Sequence, residues 1–173
     1  IGYFFLFAVY AAAIPYLQPF LKALGFRVSS IGILIGIFEI AGIAGPLLSA
    51  KLADSSGRFR LILGASVILF CLSYFPMRFI PVFAVAALSL AVAGFAFKIF
   101  VPLMDALSSR AMSDPLNQYG KVRVTGSFGF IITSLLLEFS EIIDGKDADS
   151  ILIVVISLGG LYFLSTLLLP SPT

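Results

Sequence analysis

The chain has 173 residues, of which 60% are hydrophobic and 12% charged, whereas about 25% of residues are charged in soluble domains. With a mean hydropathy of +1.12, this composition excludes an ordinary soluble domain and predicts a protein embedded in a lipid bilayer. The net charge is only +2 and the basic residues are scattered, so we expect no nucleic-acid partner.

The residue types also bear on chemistry. Histidine is absent, and the one cysteine, Cys71, lies within an apolar run. The chain therefore lacks the commonest general base and metal ligand, and we expect no enzymatic activity, no cofactor and no metal site. The chain begins at Ile1 without a methionine or a basic leader, and we expect it to be a fragment of a longer protein.

Six apolar runs have about the 20 residues that a helix needs to cross a bilayer. They cover residues 2–24, 30–53, 61–79, 82–107, 122–139 and 151–169. The segments between them, residues 25–29, 54–60, 80–81, 108–121 and 140–150, are rich in turn-forming or charged residues and are predicted to be turns. The runs do not alternate with period two, so we predict one all-α domain of six transmembrane helices, residues 1–173, rather than a barrel.

The distribution of Lys and Arg predicts that the N-terminus lies inside. In that orientation the inner side carries Lys51, Arg58, Arg60, Arg110, Lys121 and Arg123, and the outer side carries Lys22, Arg27, Arg78 and Lys146.

Even spacing of the spans suggests two three-helix repeats of inverted topology. Prolines lie in the first span of each triplet, Pro15 and Pro19 in span one and Pro102 in span four, where each removes a backbone hydrogen bond. Matching interruptions would mark a binding site; the equal alternative is coincidence, because membrane helices tolerate proline.

Four ionisable residues lie within or at the ends of the spans: Glu39, Lys98, Asp105 and Arg123. A charge costs about 2.5 to 3.5 kcal/mol at the centre of a membrane helix, so these side chains should face an interior or a water-filled cavity. Lys98 and Asp105 are seven residues apart and should share one face of a helix.

Small residues accompany two of these charges. Glu39 shares a stripe with Gly32 and Gly36, and it either contacts a solute or forms a self-neutralising pair with Lys98. In the fifth span, Gly126, Ser127 and Gly129 make one side small, and Phe130 follows Arg123 by seven residues on one face. An arginine with an aromatic ring suits an amphipathic solute. The alternative, which a composition with 18 phenylalanines favours, is that Phe130 only packs.

Residues 50–60, Ala-Lys-Leu-Ala-Asp-Ser-Ser-Gly-Arg-Phe-Arg, resemble the loop signature of the major facilitator superfamily, with departures at Ala50 and Ser55. The residues that match are Asp54, Gly57, Arg58 and Arg60. The resemblance implies that they form a latch between two transporter halves in one conformational state. The alternative is an ordinary polar turn with local ion pairs.

The segment from Tyr119 to Phe130 is similar to the branch of this superfamily that contains lactose permease and the phenylpropionate and nucleoside transporters, and residues 15–25 resemble the phenylpropionate-type members. This resemblance implies a pair between Asp105 and Arg123 at the substrate site. Phe130 stands where the permease stacks its sugar on a tryptophan, and the chain has no tryptophan. Galactoside specificity is therefore not implied.

The resemblance implies the N-terminal half of a twelve-helix fold, in the cytoplasmic (inner) membrane. It further implies a secondary transporter, proton-coupled, that moves an aromatic acid, nucleoside or sugar-like solute by alternating access with a missing C-terminal half. The expected substrate-binding residues are Asp105, Arg123, Phe130, Lys98 and Glu39. Alternatives are an oligomeric channel-like pore and a homodimeric half-transporter.

Overall fold

The computed structural model describes residues 1–169, with only the backbone described at residues 115 and 116. Within this range the helices are α1 (Gly2–Ala23), α2 (Val28–Ser56), α3 (Phe59–Phe79), α4 (Phe83–Phe97), α5 (Phe100–Ala111), α6 (Pro115–Ser140) and α7 (Ala148–Leu167). Since α4 and α5 form one span, the described residues contain six segments long and apolar enough to cross a membrane. The predicted all-α class with six transmembrane helices is confirmed.

Around the predicted turns at residues 54–60, 108–121 and 140–150 the helices extend further than predicted, and these turns are correspondingly shorter. The predicted turn at residues 108–121 is wrong, because α5 continues to Ala111 and α6 begins at Pro115. The Asp114 side chain accepts a hydrogen bond from the backbone N–H of Asn117, so Asp114 and Pro115 form a helix start. The predicted turn at residues 54–60 also shrinks to two residues, since Gly57 ends α2 in the left-handed conformation with φ of 68°.

The fourth span is broken at Lys98 and Ile99, between α4 and α5. Pro102 has no amide hydrogen to donate to the carbonyl group of Lys98, four residues earlier. In the same turn, the backbone N–H of Ile99 donates to the carbonyl group of Ala96, three residues earlier, as in a 3₁₀ helix. By contrast, α1 runs unbroken through Pro15 and Pro19. The prediction of matching interruptions in the two triplets is therefore wrong.

An aromatic cluster holds the two ends of this break in place. The ring centroid of Phe97 lies 5.1 Å from that of Phe70 and 5.3 Å from that of Phe100, and all three side chains are fully buried. Phe97 is the last residue of α4 and Phe100 the first of α5. Both ends of the break are thus anchored in the core.

The six spans form two equivalent triplets. The first span packs against the fifth and sixth, just as the fourth packs against the second and third, and the third packs against the sixth. Exchanging spans one to three with spans four to six leaves this pattern of neighbours unchanged. The arrangement is that of two inverted three-helix repeats.

Glycines at matching places let the helices of the two triplets approach closely. A Cβ on Gly45 of α2 would overlap the carbonyl oxygen of Phe95 in α4, and a Cβ on Gly129 of α6 would overlap the carbonyl oxygen of Phe4 in α1. Only glycine permits such backbone contact. The small side of α6 therefore packs against α1.

We expect Gly129→Ala to lower the free energy of unfolding by about 1 to 3 kcal/mol, because the backbone of α1 cannot move aside as a flexible side chain can. Gly160→Ala is the matched control, since a Cβ at Gly160 meets nothing within 4 Å. Thermal unfolding of the full-length protein in detergent compares the two variants. Equal melting temperatures would contradict the close contact between α1 and α6.

Candidate functional site

Two charge pairs join the broken fourth span to its neighbours. Lys98 Nζ lies 2.8 Å from Glu39 Oε2 on α2, and Arg123 Nη1 on α6 lies 3.0 Å from Asp105 Oδ2 on α5. Lys98 and Ile99 keep right-handed helical backbone angles, so a shared face for Lys98 and Asp105 stays a prediction. The two charges turn to different neighbours.

Glu39 and Arg123 occupy equivalent positions in the two repeats. Each precedes by three residues the first glycine of a closely packed pair, Gly42 in α2 and Gly126 in α6. This position carries an acidic side chain in the first repeat and a basic side chain in the second. The fourth span supplies the opposite charge to each.

Asp105 is held from two sides. The Tyr3 hydroxyl of α1 donates to Asp105 Oδ1 at 2.6 Å, and Arg123 donates to Oδ2 at 3.0 Å. Arg123 also donates to the hydroxyl of Tyr119, one turn earlier in α6. Because Tyr3 is buried, its hydroxyl fixes one carboxylate oxygen from inside the bundle. The sequence analysis missed Tyr3, whose only signal was a hydroxyl near the start of an apolar span.

The pair of Asp105 and Arg123 is accessible. The exposed fractions of the two side chains are 27% and 43%, and that of Phe130, seven residues or about 10 Å further along α6, is 38%. A guanidinium has five N–H donors, so Arg123 retains donors for a ligand. This arrangement suits a small solute with an acceptor group and an apolar ring. Among residues 1–169, no three acidic or cysteine side chains converge as metal ligands.

The Glu39 side of α2 faces open space. The exposed fractions of the Glu39 and Lys98 side chains are 53% and 32%, and a Cβ at Gly32 or Gly36 on the same stripe would meet nothing within 4 Å. The aliphatic part of Lys98 lies against Gly42, where a Cβ would come within 2.6 Å of Lys98 Cγ. The self-neutralising pair is thus formed, and it is also within reach of a solute.

The loop motif places its acid against α5. Asp54, in the last turn of α2, accepts a hydrogen bond from Arg110 Nη2 at 3.1 Å. The Arg110 guanidinium also lies 3.9 Å from the ring centroid of Phe59, so that it is held by charge and by a cation–π contact. Gly57, which ends α2, lies between Asp54 and Phe59 in the sequence. The sequence analysis did not identify Arg110 as the partner of Asp54.

The two arginines of the loop motif, Arg58 and Arg60, do not contact α5 as Asp54 does. Arg60 Nη1 donates to the carbonyl oxygen of Leu169 at 3.1 Å, just beyond the end of α7. Arg58 is exposed, and its backbone N–H donates to Ser56 Oγ at 3.3 Å. The motif thus ties the start of α3 to the end of α7 as well as joining α2 to α5.

Six apolar spans arranged as two equivalent triplets define a multi-pass integral membrane protein. The family model described as "MFS_1 like family" matches residues 1–172. The chain belongs to this family of the major facilitator superfamily.

Individual relatives agree with this assignment. The chain is 36% identical over 139 residues to the probable 3-phenylpropionic acid transporter of Escherichia coli (strain K12), and the match covers 79% of this chain and 36% of that protein. Two crystal structures of the nucleoside transporter NupG, one of a point mutant, match the fold with TM-scores of 0.85 and 0.83 at 20% and 21% identity. They cover 99% and 98% of this chain, which spans 43% and 42% of the NupG chains.

A double-mutant cycle measures the pair between the second and fourth spans. Glu39→Gln leaves Lys98 without its counter-charge, and Lys98→Met leaves Glu39 without its own. We expect the destabilisations caused by the two single changes to add up to more than that caused by the double change. The difference, which is the coupling free energy, should be about 1 kcal/mol. Thermal unfolding in detergent gives the three values. Strict additivity would show that the contact contributes nothing to stability.

Proposed function

We propose that this chain is the N-terminal half of a secondary transporter that moves a small organic solute across the cytoplasmic membrane. Two findings support the proposal: the chain has the fold of one half of NupG, and a 36% identical relative is named as a transporter of an aromatic acid. The transported solute belongs to the aromatic acids, nucleosides or sugar-like molecules. Transport is coupled to protons, and the N-terminus lies inside.

The accessible pair of Asp105 and Arg123 is the observation that carries this proposal. In the absence of solute each charge neutralises the other, which lowers the cost of holding both within a membrane span. A solute carboxylate or hydroxyl group takes up the remaining donors of Arg123, and Phe130 packs against its apolar part. Glu39 and Lys98 form a second polar contact, seven residues earlier in the fourth span.

Alternating access follows from rocking this bundle against the C-terminal six-helix half. The pair of Asp54 and Arg110 joins the end of α2 to the end of α5, which is the cytoplasmic end in the proposed orientation. Asp54, Gly57, Arg58 and Arg60 act there as the latch that holds one state. We place Glu39 and Arg123 on the path of the solute because both side chains are exposed.

Uptake by the full-length protein in proteoliposomes tests the site. With 3-phenylpropionic acid, a nucleoside and a disaccharide offered in turn, we expect Arg123→Ala and Asp105→Ala each to lower uptake of the accepted solute at least about 100-fold, as for loss of a charged contact of about 3 kcal/mol. The double change Asp105→Asn with Arg123→Gln should be equally inactive, because it restores neutrality without restoring the donors. Full uptake by the double variant would reduce the pair to a structural role.

The matched control is a second arginine–aspartate pair in the same chain. Arg78 Nη2 at the end of α3 lies 2.6 Å from Asp149 Oδ2 at the start of α7, and it lies outside the proposed solute path. Arg78→Ala should leave uptake within about twofold of wild type, as expected for an exposed ion pair. If it abolished uptake as well, loss of any ion pair would explain the Arg123 result.

Tyr3→Phe tests how Asp105 is held. The change removes only the hydroxyl that donates to Asp105 Oδ1 at 2.6 Å, a hydrogen bond worth about 1.5 to 3 kcal/mol to a charged group. We expect the KM for the solute to rise about tenfold or more while the protein still inserts and folds normally. An unchanged KM would mean that Tyr3 does not orient the carboxylate that the solute meets.

A further inference from the structure

A groove between α3 and α7 lies on a different side of the fold from the charge pairs of the fourth span. It has a volume of 350 Å³, and Leu61, Gly64, Ala65, Ile68 and Phe163 form much of its wall. Arg60, in the first turn of α3, lines one end, whereas Ile68 lies two turns deeper. The groove is thus apolar along its length and basic at one end.

Small residues of α3 shape the groove. Gly64 lets the Phe163 ring of α7 approach α3 closely, since a Cβ there would come within 3.2 Å of it, and the neighbouring Ala65 is exposed in the groove wall. Leu61 and Ile68 are also exposed, although both belong to a membrane-spanning segment. At this depth exposed apolar side chains are in contact with hydrocarbon rather than with water.

Among residues 1–169, no acidic side chain pairs with the arginine at the end of the groove. Arg60 uses one donor on the carbonyl oxygen of Leu169 and keeps its charge and its other donors. Arg58 is exposed beside it, and the first turn of α3 contains no acidic residue. Asp54, at the adjoining end of α2, is already paired with Arg110. The local charge favours an anion at the level where phospholipid headgroups lie.

We propose that this groove binds one anionic glycerophospholipid. Its phosphate contacts Arg60, and one acyl chain lies along Gly64, Ala65 and Ile68. A phosphate and a hydrocarbon chain joined in this order match the basic end and the apolar wall, whereas a free phosphate would use only the first. In the proposed orientation the lipid belongs to the cytoplasmic leaflet. This site shares Arg60 with the proposed latch, but none of its lining residues belongs to the proposed solute-binding set of Asp105, Arg123, Phe130, Lys98 and Glu39.

Native mass spectrometry of the full-length protein tests the site, with phosphatidylglycerol and phosphatidylcholine of identical acyl chains as probes. We expect tighter binding of phosphatidylglycerol, and Arg60→Gln should weaken it about tenfold, as for loss of a charged hydrogen bond. Glutamine retains a donor for the carbonyl group of Leu169, so the fold is preserved. Arg60→Lys should retain most of the preference for phosphatidylglycerol. Arg27→Gln is the control: it removes one positive charge at the start of α2, away from the groove, and should leave phosphatidylglycerol binding unchanged.

Ala65→Phe fills the groove at an exposed position and tests the acyl-chain part. It should weaken binding of both lipids several-fold while leaving the melting temperature unchanged. Equal phosphatidylglycerol affinities for Arg60→Gln and Arg27→Gln would overturn the proposal, as would unchanged lipid binding by Ala65→Phe. A dimer in the wild type that Ala65→Phe abolishes would also overturn it, because the groove would then hold a second copy of the chain.

Discussion

The site depends on a backbone hydrogen bond that the fourth span cannot make. Pro102 offers no N–H to the carbonyl group of Lys98, and the α-helix is interrupted at Lys98 and Ile99, where Phe97 and Phe100 are buried on either side. Lys98 pairs with Glu39 of α2, and Asp105 pairs with Arg123 of α6. One span thus supplies two opposite charges to two different helices.

Inverted symmetry explains why the two charge pairs resemble each other. Glu39 and Arg123 each stand three residues before a glycine at a close helix contact, and each meets an opposite charge from the fourth span. In hydrocarbon an unpaired charge is costly, so each pair lets the bundle keep an ionisable side chain on an accessible surface. Of the two pairs, it is that of Asp105 and Arg123 in which, among the described residues, a buried hydroxyl, that of Tyr3, donates to the carboxylate. For this reason we place the solute at that pair.

Hydropathy predicted the six spans because it reports which residues contact hydrocarbon. It misplaced the turn at residues 108–121 because helices continue into water beyond the apolar zone, and Asp114 caps such a polar extension. The prolines showed the limit of local sequence, since α1 stays intact through Pro15 whereas the fourth span breaks near Pro102, and neighbouring helices decide which outcome occurs. The resemblance to the permease branch predicted the contact between Asp105 and Arg123. Tyr3 was not predicted, because it lies 102 residues from its partner.

The central claim is that a solute binds between Arg123 and Phe130, and site-directed alkylation tests it most directly. Ser127→Cys, at an exposed position of α6 between Arg123 and Phe130, provides one reactive group in full-length protein with Cys71→Ser and any other thiol removed. Gly145→Cys, in the exposed turn before α7, provides a control away from the site. We predict that the transported solute slows alkylation of the thiol introduced at residue 127 but not of that at residue 145, and that Arg123→Ala abolishes this protection. Equal alkylation rates at residue 127 with and without saturating solute would contradict the account.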